Sequence, residues 1–156
     1  MAKTISKDTP ITELTIRKYE KPYNLDKREL VRKLCLSLGL LQPGDSRDIV
    51  VDILYIMLET AKNRQELTSE DVRGSVVELR KNYKLPLQGI ASSNIRRQLK
   101  RLRDVYLIEK IRNNYRMTEN LAVSEIFKEK ISQHMLNSII GRVEEYVQKI
   151  DEEFRH

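Results

Sequence analysis

The chain has 156 residues, of which 40% are hydrophobic and 33% are charged, with five glycines, four prolines and one cysteine. This composition predicts one globular domain with a sizeable core, and it argues against a disulfide framework or a low-complexity protein. The longest uninterrupted apolar stretch, 53–58, is too short to cross a bilayer. The net charge of +6 at pH 7 favours an anionic partner.

The composition of the N-terminus and the single cysteine indicate a cytoplasmic protein. The first ten residues lack the apolar segment of a signal peptide. Cys35 lies between two leucines, which predicts a buried, reduced thiol rather than a catalytic one. We therefore expect a cytoplasmic location and no membrane partner.

Residues 1–25 are predicted to form an N-terminal tail and a short strand. Residues 1–10 are expected to be mobile. The segment Thr12–Tyr19 alternates in polarity, with Leu14 and Ile16 on one side, and this pattern is typical of a strand.

Two helices are expected next. Asp26 can cap the first, with Glu29 at the spacing of a capping box. Asp45 or Ser46 is expected to cap the second, which covers about 47–63. The second helix is apolar around most of its circumference, so we expect it at the centre of the core. Thr68 and Asp71 then give the start signal of a third helix.

Ser92 or Ser93 is expected to cap a fourth helix, which ends near Tyr106. Ile95 and Leu99 lie on its apolar face, and polar side chains lie opposite. Short polar residues precede long cations, which suits a helix whose N-terminal end enters the major groove of DNA. The side chains predicted to face the groove are Ser93, Asn94, Arg97, Lys100 and Arg101.

A two-stranded hairpin follows the fourth helix. Leu107–Ile111 and Tyr115–Thr118 read as strands, and Asn113-Asn114 reads as the turn between them. Tyr115 is expected to stack on the hairpin or to contact a sugar. The residues predicted to contact the DNA backbone are Lys110, Arg112, Asn113, Asn114 and Arg116. The order helix, helix, cationic helix and hairpin predicts a winged helix-turn-helix over 26–120, hence a mainly α fold with a small β-hairpin wing.

The positive charge is concentrated in one segment. Residues 80–116 contain eleven Lys or Arg and two acids, whereas residues 125–154 contain four cations and seven acids. A charged helical face is usually only solvated. Here the cations are almost unopposed, and the hairpin adds more on the side where the fourth helix places its own. We therefore expect nucleic-acid binding.

Residues 121–156 are predicted to form a long C-terminal helix that dimerises. Apolar residues recur at steps of three and four, the spacing of a helix–helix seam. The predicted interface residues are Leu136, Ile139, Val143, Tyr146 and Ile150. The alternative is that this helix folds back on its own core.

The run SSNIRRQLKRLRDVYLIEKIRNNYRMTE at 92–119 resembles the recognition helix and wing of archaeal winged-helix transcriptional regulators. LTIRKYEKPY, LCLSLGLLQPGDSRDIVVDIL and LAVSEIFKEKI, which begin at Leu14, Leu34 and Leu121, extend the resemblance to the euryarchaeal group that includes the activator of archaellum genes. Such proteins are similar to MarR- and PadR-type regulators, which dimerise through terminal helices. The resemblance implies that the listed residues of the fourth helix face the groove, and that Lys110, Arg112 and Arg116 contact DNA as the wing.

The predicted function is that of a homodimeric, sequence-specific regulator that binds double-stranded DNA and contacts the basal transcription machinery. The alternatives are a non-specific architectural or RNA-binding protein, or a winged-helix protein-interaction module. No enzyme is expected, and no cofactor or metal, because phosphate-loop and dinucleotide motifs are absent from the sequence. His134 and His156 have no partners at ligand spacing.

Overall fold

Helices form most of the chain, and a small antiparallel sheet accompanies them. The computed structural model describes residues 7–155. The elements up to the hairpin are α1 (Lys27–Ser37), α2 (Ile49–Ala61), β1 (Leu67–Thr68), α3 (Ser69–Asn82), α4 (Ser92–Asp104), β2 (Ile108–Ile111) and β3 (Asn114–Met117). The predicted mainly α fold with a β-hairpin is confirmed.

The sheet has three strands in the order β1-β3-β2, and both pairings are antiparallel. Leu67 lies opposite Tyr115, so the two-residue strand β1 extends the hairpin. The hairpin turn lies at 112–113, with Arg112 in the left-handed region at φ 58°. The prediction of a turn at Asn113-Asn114 is therefore wrong by one residue, because Asn114 pairs with Ile111 as the first residue of β3.

Helix α2 lies at the centre of the core, as its apolar circumference predicted. Ile53, Leu54 and Met57 are fully buried. The helix contacts α1, α3, α4 and β3. Buried apolar surface contributes about 25 cal/mol per Å², so α2 organises the hydrophobic stabilisation of the domain.

The predicted start signals of two helices are confirmed, although the capping box expected at Asp26 and Glu29 lacks its reciprocal bond. The carboxylate of Asp26 accepts a hydrogen bond from the backbone N–H of Glu29 at 2.8 Å. The Glu29 carboxylate itself bonds to Arg32. At α3, Thr68 and Asp71 form a reciprocal capping box, with both side chain–backbone distances at 3.1 Å.

The predicted caps of the other two helices are wrong. Helix α2 begins after Asp48, rather than at Asp45 or Ser46, and the Asp48 carboxylate makes no capping bond because arginines occupy it. Helix α4 begins after Ala91. The hydroxyl of Ser92 donates to Glu70 at 2.7 Å rather than capping.

The predicted strand at Thr12–Tyr19 is also wrong. Within residues 7–155 this segment pairs with no strand, and its backbone bonds instead to the end of α1, through Arg17 N to Ser37 O at 2.8 Å. The Arg17 guanidinium donates to the carbonyl of Leu36 in the last turn of α1 and to that of Leu41, four residues beyond the helix. Of the predicted mobile tail, residues 1–6 lie outside the described part of the chain.

The end of α1 is fitted closely to the N-terminal segment. Gly39 adopts φ 71°, and a Cβ at this position would lie 2.5 Å from the Cβ of Thr15. A side chain at Gly39 would therefore strain the backbone and displace the segment.

The C-terminal part is helical from Val123 to Phe154, and the predicted long C-terminal helix is present. Its parts are α5 (Val123–Ile126), a π-helix (Phe127–Leu136) and α6 (Asn137–Phe154). Ile126 and Ile131 are both fully buried. Bonding from residue i to i+5 brings side chains five positions apart towards one face, so the π-helix lets both isoleucines reach the core.

Candidate functional site

Helix α4 buries one face and exposes the opposite one. Ile95, Leu99 and Leu102 are fully buried, as the apolar pattern predicted. Three of the side chains predicted to face a ligand lie in solvent: Ser93, Arg97 and Lys100. Lys100 pairs with Asp104 one turn later at 3.1 Å, an exposed pair worth little to stability.

Two other predicted groove-facing side chains are engaged within the protein. The amide of Asn94 donates to the Gly89 carbonyl at 2.7 Å and accepts from Arg97 and Gln98 at 3.2 Å. Arg101 donates to the Leu40 carbonyl at 2.7 Å and to Gln98 at 2.8 Å. Asn94 therefore fastens the loop before α4, and Arg101 fastens α4 to the end of α1.

Two exposed cations of α4 were missed by the sequence analysis. Arg96 and Arg103 are solvent-exposed, and neither forms an ion pair with any residue in 7–155. On the helical wheel they lie about 100° and 80° from the buried centre. At that angle only the packing of neighbouring elements decides exposure, so no local signal was available.

The hairpin presents some of the predicted residues and not others. Arg112 and Asn113 are exposed at the tip, Lys110 is exposed on β2, and Asn114 is half-buried. Arg116 is half-buried and donates to Glu109, its cross-strand neighbour, at 2.7 Å. Its charge is therefore balanced within the hairpin.

Tyr115 packs inward rather than outward. Only 5% of it is exposed, and the ammonium of Lys110 lies 5.7 Å from its ring centroid. Tyr115 therefore belongs to the hydrophobic core, and its burial leaves no exposed ring for the alternative contact with a sugar.

Two exposed cations of α4 and one of the hairpin meet in one cleft of about 530 Å³. Lys100 and Arg103 contribute to it from the helix and Lys110 from β2. Three acids also line it, and each is already paired: Asp104 with Lys100, Glu109 with Arg116, and Glu119 with Lys130. Arg103 and Lys110 therefore supply positive charge that no carboxylate of the cleft neutralises.

A buried ionic network joins α1, α2 and α3, and sequence reasoning did not find it. Asp52 is fully buried and accepts from Arg28 at 3.0 Å and from Arg80 at 2.6 Å. Asp48 bonds to the same two arginines at 2.9 Å each. Arg80, counted among the cations of the basic segment, is therefore an internal residue with no role at the surface.

The ionisation of this network reflects the balance of burial and pairing. Burial disfavours the charged form of Asp48, but hydrogen bonds from Arg28 and Arg80 outweigh it, so the pKa of Asp48 lies below its usual 3.8. Burial likewise disfavours charged Arg28, and the bonds to Asp52 and Asp48 still raise its pKa. Both residues are charged at neutral pH.

Groups capable of chemistry are few in the described part of the chain. Burial raises the pKa of the Cys35 thiol to about 12, so the thiol is protonated at neutral pH, and its predicted burial is confirmed.

Residues 7–155 contain no group of three or more His, Cys, Asp or Glu arranged to hold a metal ion. His134 is exposed and lies edge-on to Tyr106, with ring centroids 5.7 Å apart. His156 lies outside the described residues. No helix in this range has the length and apolar character needed to span a membrane.

The residues of the predicted dimer seam become more exposed towards the C-terminal end of the helix. Leu136 and Ile139 are half-buried, and no residue of α6 is buried. Val143, Tyr146 and Ile150 are 55%, 68% and 55% exposed. The alternative in which the whole helix folds back on its own core is therefore wrong for α6. It holds only for the part that contains Ile126 and Ile131.

No protein-family model, curated protein sequence or solved structure matches this chain. A functional proposal therefore depends on the arrangement of the chain's own side chains.

Proposed function

We propose that this protein is a winged-helix transcription regulator that binds double-stranded DNA as a homodimer. The observation that carries the proposal is the convergence of Lys100 and Arg103 of α4 with Lys110 of the hairpin on one cleft. The element order α2-β1-α3-α4-β2-β3 and the sheet order β1-β3-β2 support a winged helix-turn-helix. The sequence resemblance to archaeal winged-helix regulators, including the archaellum-gene activator group, agrees with it.

In the proposed complex, α4 lies in the major groove. Ser93 and Arg97 are exposed near its N-terminal end, where such helices contact base edges. An arginine can pair with a guanine through two hydrogen bonds. Lys100 and Arg103 lie further along the same helix, and we assign them to phosphates.

The hairpin would lie on the sugar-phosphate backbone beside α4. Arg112 and Asn113 form its exposed tip, and Lys110 faces the cleft shared with α4. Arg116 is bonded to Glu109, so the proposed DNA contacts do not include it. Asn114 is half-buried and contributes less to the proposed backbone contact than the tip residues do.

The proposed homodimer forms through α6. Helices in proteins draw most of their stability from packing of an amphipathic face, and α6 has 18 residues and no buried side chain. The seam Leu136, Ile139, Val143, Tyr146 and Ile150 is extended by Ile140, Val147 and Phe154, which are 43%, 54% and 76% exposed. Burial at about 25 cal/mol per Å² favours pairing with a second copy by several kcal/mol before entropic costs. The proposed contact with the basal transcription machinery lies on the acidic surface of α6.

One observation favours a second candidate, sequence-independent DNA binding. Asn94 and Arg101 are two of the five side chains expected to face the groove, and both are engaged in internal hydrogen bonds. Fewer side chains are then free to read base edges, whereas the phosphate-directed cations remain exposed. Both candidates use the same surface. They differ in whether Arg97 reads a base edge or makes no sequence-dependent contact.

Fluorescence anisotropy with a selected duplex and a scrambled duplex tests the proposal. For a regulator, Arg97→Ala weakens binding to the selected duplex by about 1–3 kcal/mol and changes binding to the scrambled duplex little. Lys100→Ala and Arg112→Ala weaken binding to both duplexes alike. Equal effects of all three variants on both duplexes would support sequence-independent binding.

The control for these variants is Arg64→Ala, which removes an exposed cation beyond the far end of α2. Binding that does not weaken with rising salt, or that is competed away equally by single-stranded RNA, would contradict a DNA-directed function.

The dimer is tested separately by sedimentation equilibrium. Val143→Glu places a charge in the seam and is expected to shift the protein to monomer. Gln148→Glu adds the same charge to the exposed helix outside the apolar stripe and should leave the mass unchanged. A monomeric wild type, or a dimeric Val143→Glu variant, would contradict the proposed interface.

A further inference from the structure

A second cleft, of about 760 Å³, lies on the flank of α4 away from the hairpin. The start of α2, the loop 85–89 and the α4 residues Asn94, Arg97 and Gln98 line it. Five arginines line it as well: Arg32, Arg47, Arg80, Arg97 and Arg101. The cationic surface of α4 is therefore bordered by basic clefts on both flanks.

Two of the five arginines are unavailable to a ligand. Arg80 is 3% exposed and is bonded to Asp48 and Asp52. Arg101 is held by the Leu40 carbonyl and by Gln98. The cationic groups left to meet a ligand are those of Arg32, Arg47 and Arg97.

Arg47 is the most open of these three. Its side chain is 87% exposed, whereas that of Arg32 is 29% exposed and makes one bond to Glu29. The only hydrogen bond of the Arg47 side chain within residues 7–155 runs from Nε to Asp45 at 3.3 Å. A guanidinium has five N–H donors, so both terminal nitrogens of Arg47 stay free.

The acids of this cleft do not cancel its charge. Asp48 is shared between Arg28 and Arg80. Asp45 accepts from the backbone N–H of Arg47 at 2.9 Å as well as from its Nε, and these bonds position the side chain. Of the carboxylates that line the cleft, only Asp45 lies outside the buried network, and it faces three available arginines, of which Arg32 also pairs with Glu29.

We propose that this cleft binds the sugar-phosphate backbone of double-stranded DNA, with Arg47 as the principal phosphate ligand and Arg32 beside it. This inference rests on the proposed function. A helix in the major groove, about 12 Å wide, has a phosphate backbone on each side. The hairpin contacts one backbone, and Arg47 contacts the other, so that α4 is held between two phosphate-binding edges.

Variants in which one charged side chain is replaced by a neutral one test the proposal. Arg47→Gln and Arg64→Gln each remove one exposed arginine, from opposite ends of α2, about 20 Å apart along the helix. Asp45→Asn removes the carboxylate beside Arg47. The affinity for a duplex of random sequence is measured by fluorescence anisotropy over a range of salt concentrations, with thermal unfolding as the check on folding.

Arg47→Gln is expected to weaken binding several-fold and to reduce the slope of log K against log salt by about 0.9, the value for one phosphate contact. Asp45→Asn is expected to strengthen binding, because it removes a like charge from beside the phosphate. Arg64→Gln should leave the slope unchanged.

The outcomes separate this inference from the function on which it rests. If wild type binds DNA with a salt dependence, and Arg47→Gln matches Arg64→Gln while Asp45→Asn has no effect, the second cleft is not a phosphate site. If wild type shows no salt-dependent DNA binding, the proposed function and this inference fall together.

Discussion

The substitution Asp52→Asn tests the buried ionic network most sharply. The Asp52 carboxylate is fully buried and receives bonds from Arg28 at 3.0 and 3.3 Å and from Arg80 at 2.6 Å. An amide keeps the shape but loses the charge, and its NH2 group has no acceptor beside two guanidinium groups. Two buried arginines would then share the single carboxylate of Asp48.

The expected loss of stability is large, although Asp52→Asn replaces only one carboxylate oxygen by an NH2 group. Removing one partner of a buried ion pair costs about 3–5 kcal/mol, because the remaining charge is buried without compensation. A domain is stable by only about 5–15 kcal/mol. Asp52→Asn should therefore remove roughly a third of the unfolding free energy.

Urea unfolding followed by circular dichroism, at one protein concentration, measures this loss. With a slope of about 1–3 kcal/mol per molar urea, the midpoint should fall by roughly 2 M. Lys62→Ala, which breaks an exposed pair with Glu59, should change stability by less than about 0.5 kcal/mol. A midpoint for Asp52→Asn equal to that of Lys62→Ala would refute the reasoning.

Three further predictions follow from local contacts. The pKa of Asp48 is lowered on folding, so its stabilisation is present above its usual pKa and is lost as the pH falls through the folded value. The difference in unfolding free energy between wild type and Asp48→Asn should therefore narrow in acid titrations as the pH falls below the usual pKa of 3.8. Cys35, with its pKa raised to about 12 by burial, should react with a thiol reagent only at the rate of unfolding, and reaction at the rate of a free thiol would contradict its burial. Thr68→Ala opens the capping box of α3 and should lower the unfolding free energy by about 1 kcal/mol in urea; an unchanged midpoint would show that the box is not formed.

The features that sequence predicted correctly depend on residues close together in the chain. Thr68 and Asp71 are three positions apart, and their capping box can be read from spacing alone. The buried face formed by Ile95, Leu99 and Leu102 follows from helical periodicity. Such signals need no knowledge of the rest of the fold.

The features that sequence missed depend on distant residues. Asp48 was not recognised as part of a network because Arg28 and Arg80 lie 20 and 32 positions away. Arg101 lies on the polar side of its helix, and its bond to Leu40 spans 61 positions. A cation that is exposed and one that fastens two helices look the same in a periodic pattern.

The N-terminal segment shows the same limit. Alternating polarity at Thr12–Tyr19 satisfies the local requirement of a strand, but a ladder also needs a neighbour with free backbone groups. The available neighbour is the end of α1, whose carbonyls accept bonds from Arg17. Tertiary packing therefore decided the outcome.

Selection of duplex DNA from a fragmented genomic pool at moderate salt tests the central claim most directly. The protein is immobilised, and bound and unbound fragments are sequenced. A homodimeric regulator is expected to enrich a short pseudo-palindromic motif whose half-sites lie about 10 bp apart, one helical turn. The control is a triple variant with Lys100→Ala, Arg103→Ala and Arg112→Ala. If the wild type retains no more DNA than this variant, the assignment of α4 and the hairpin as a DNA-binding surface is contradicted.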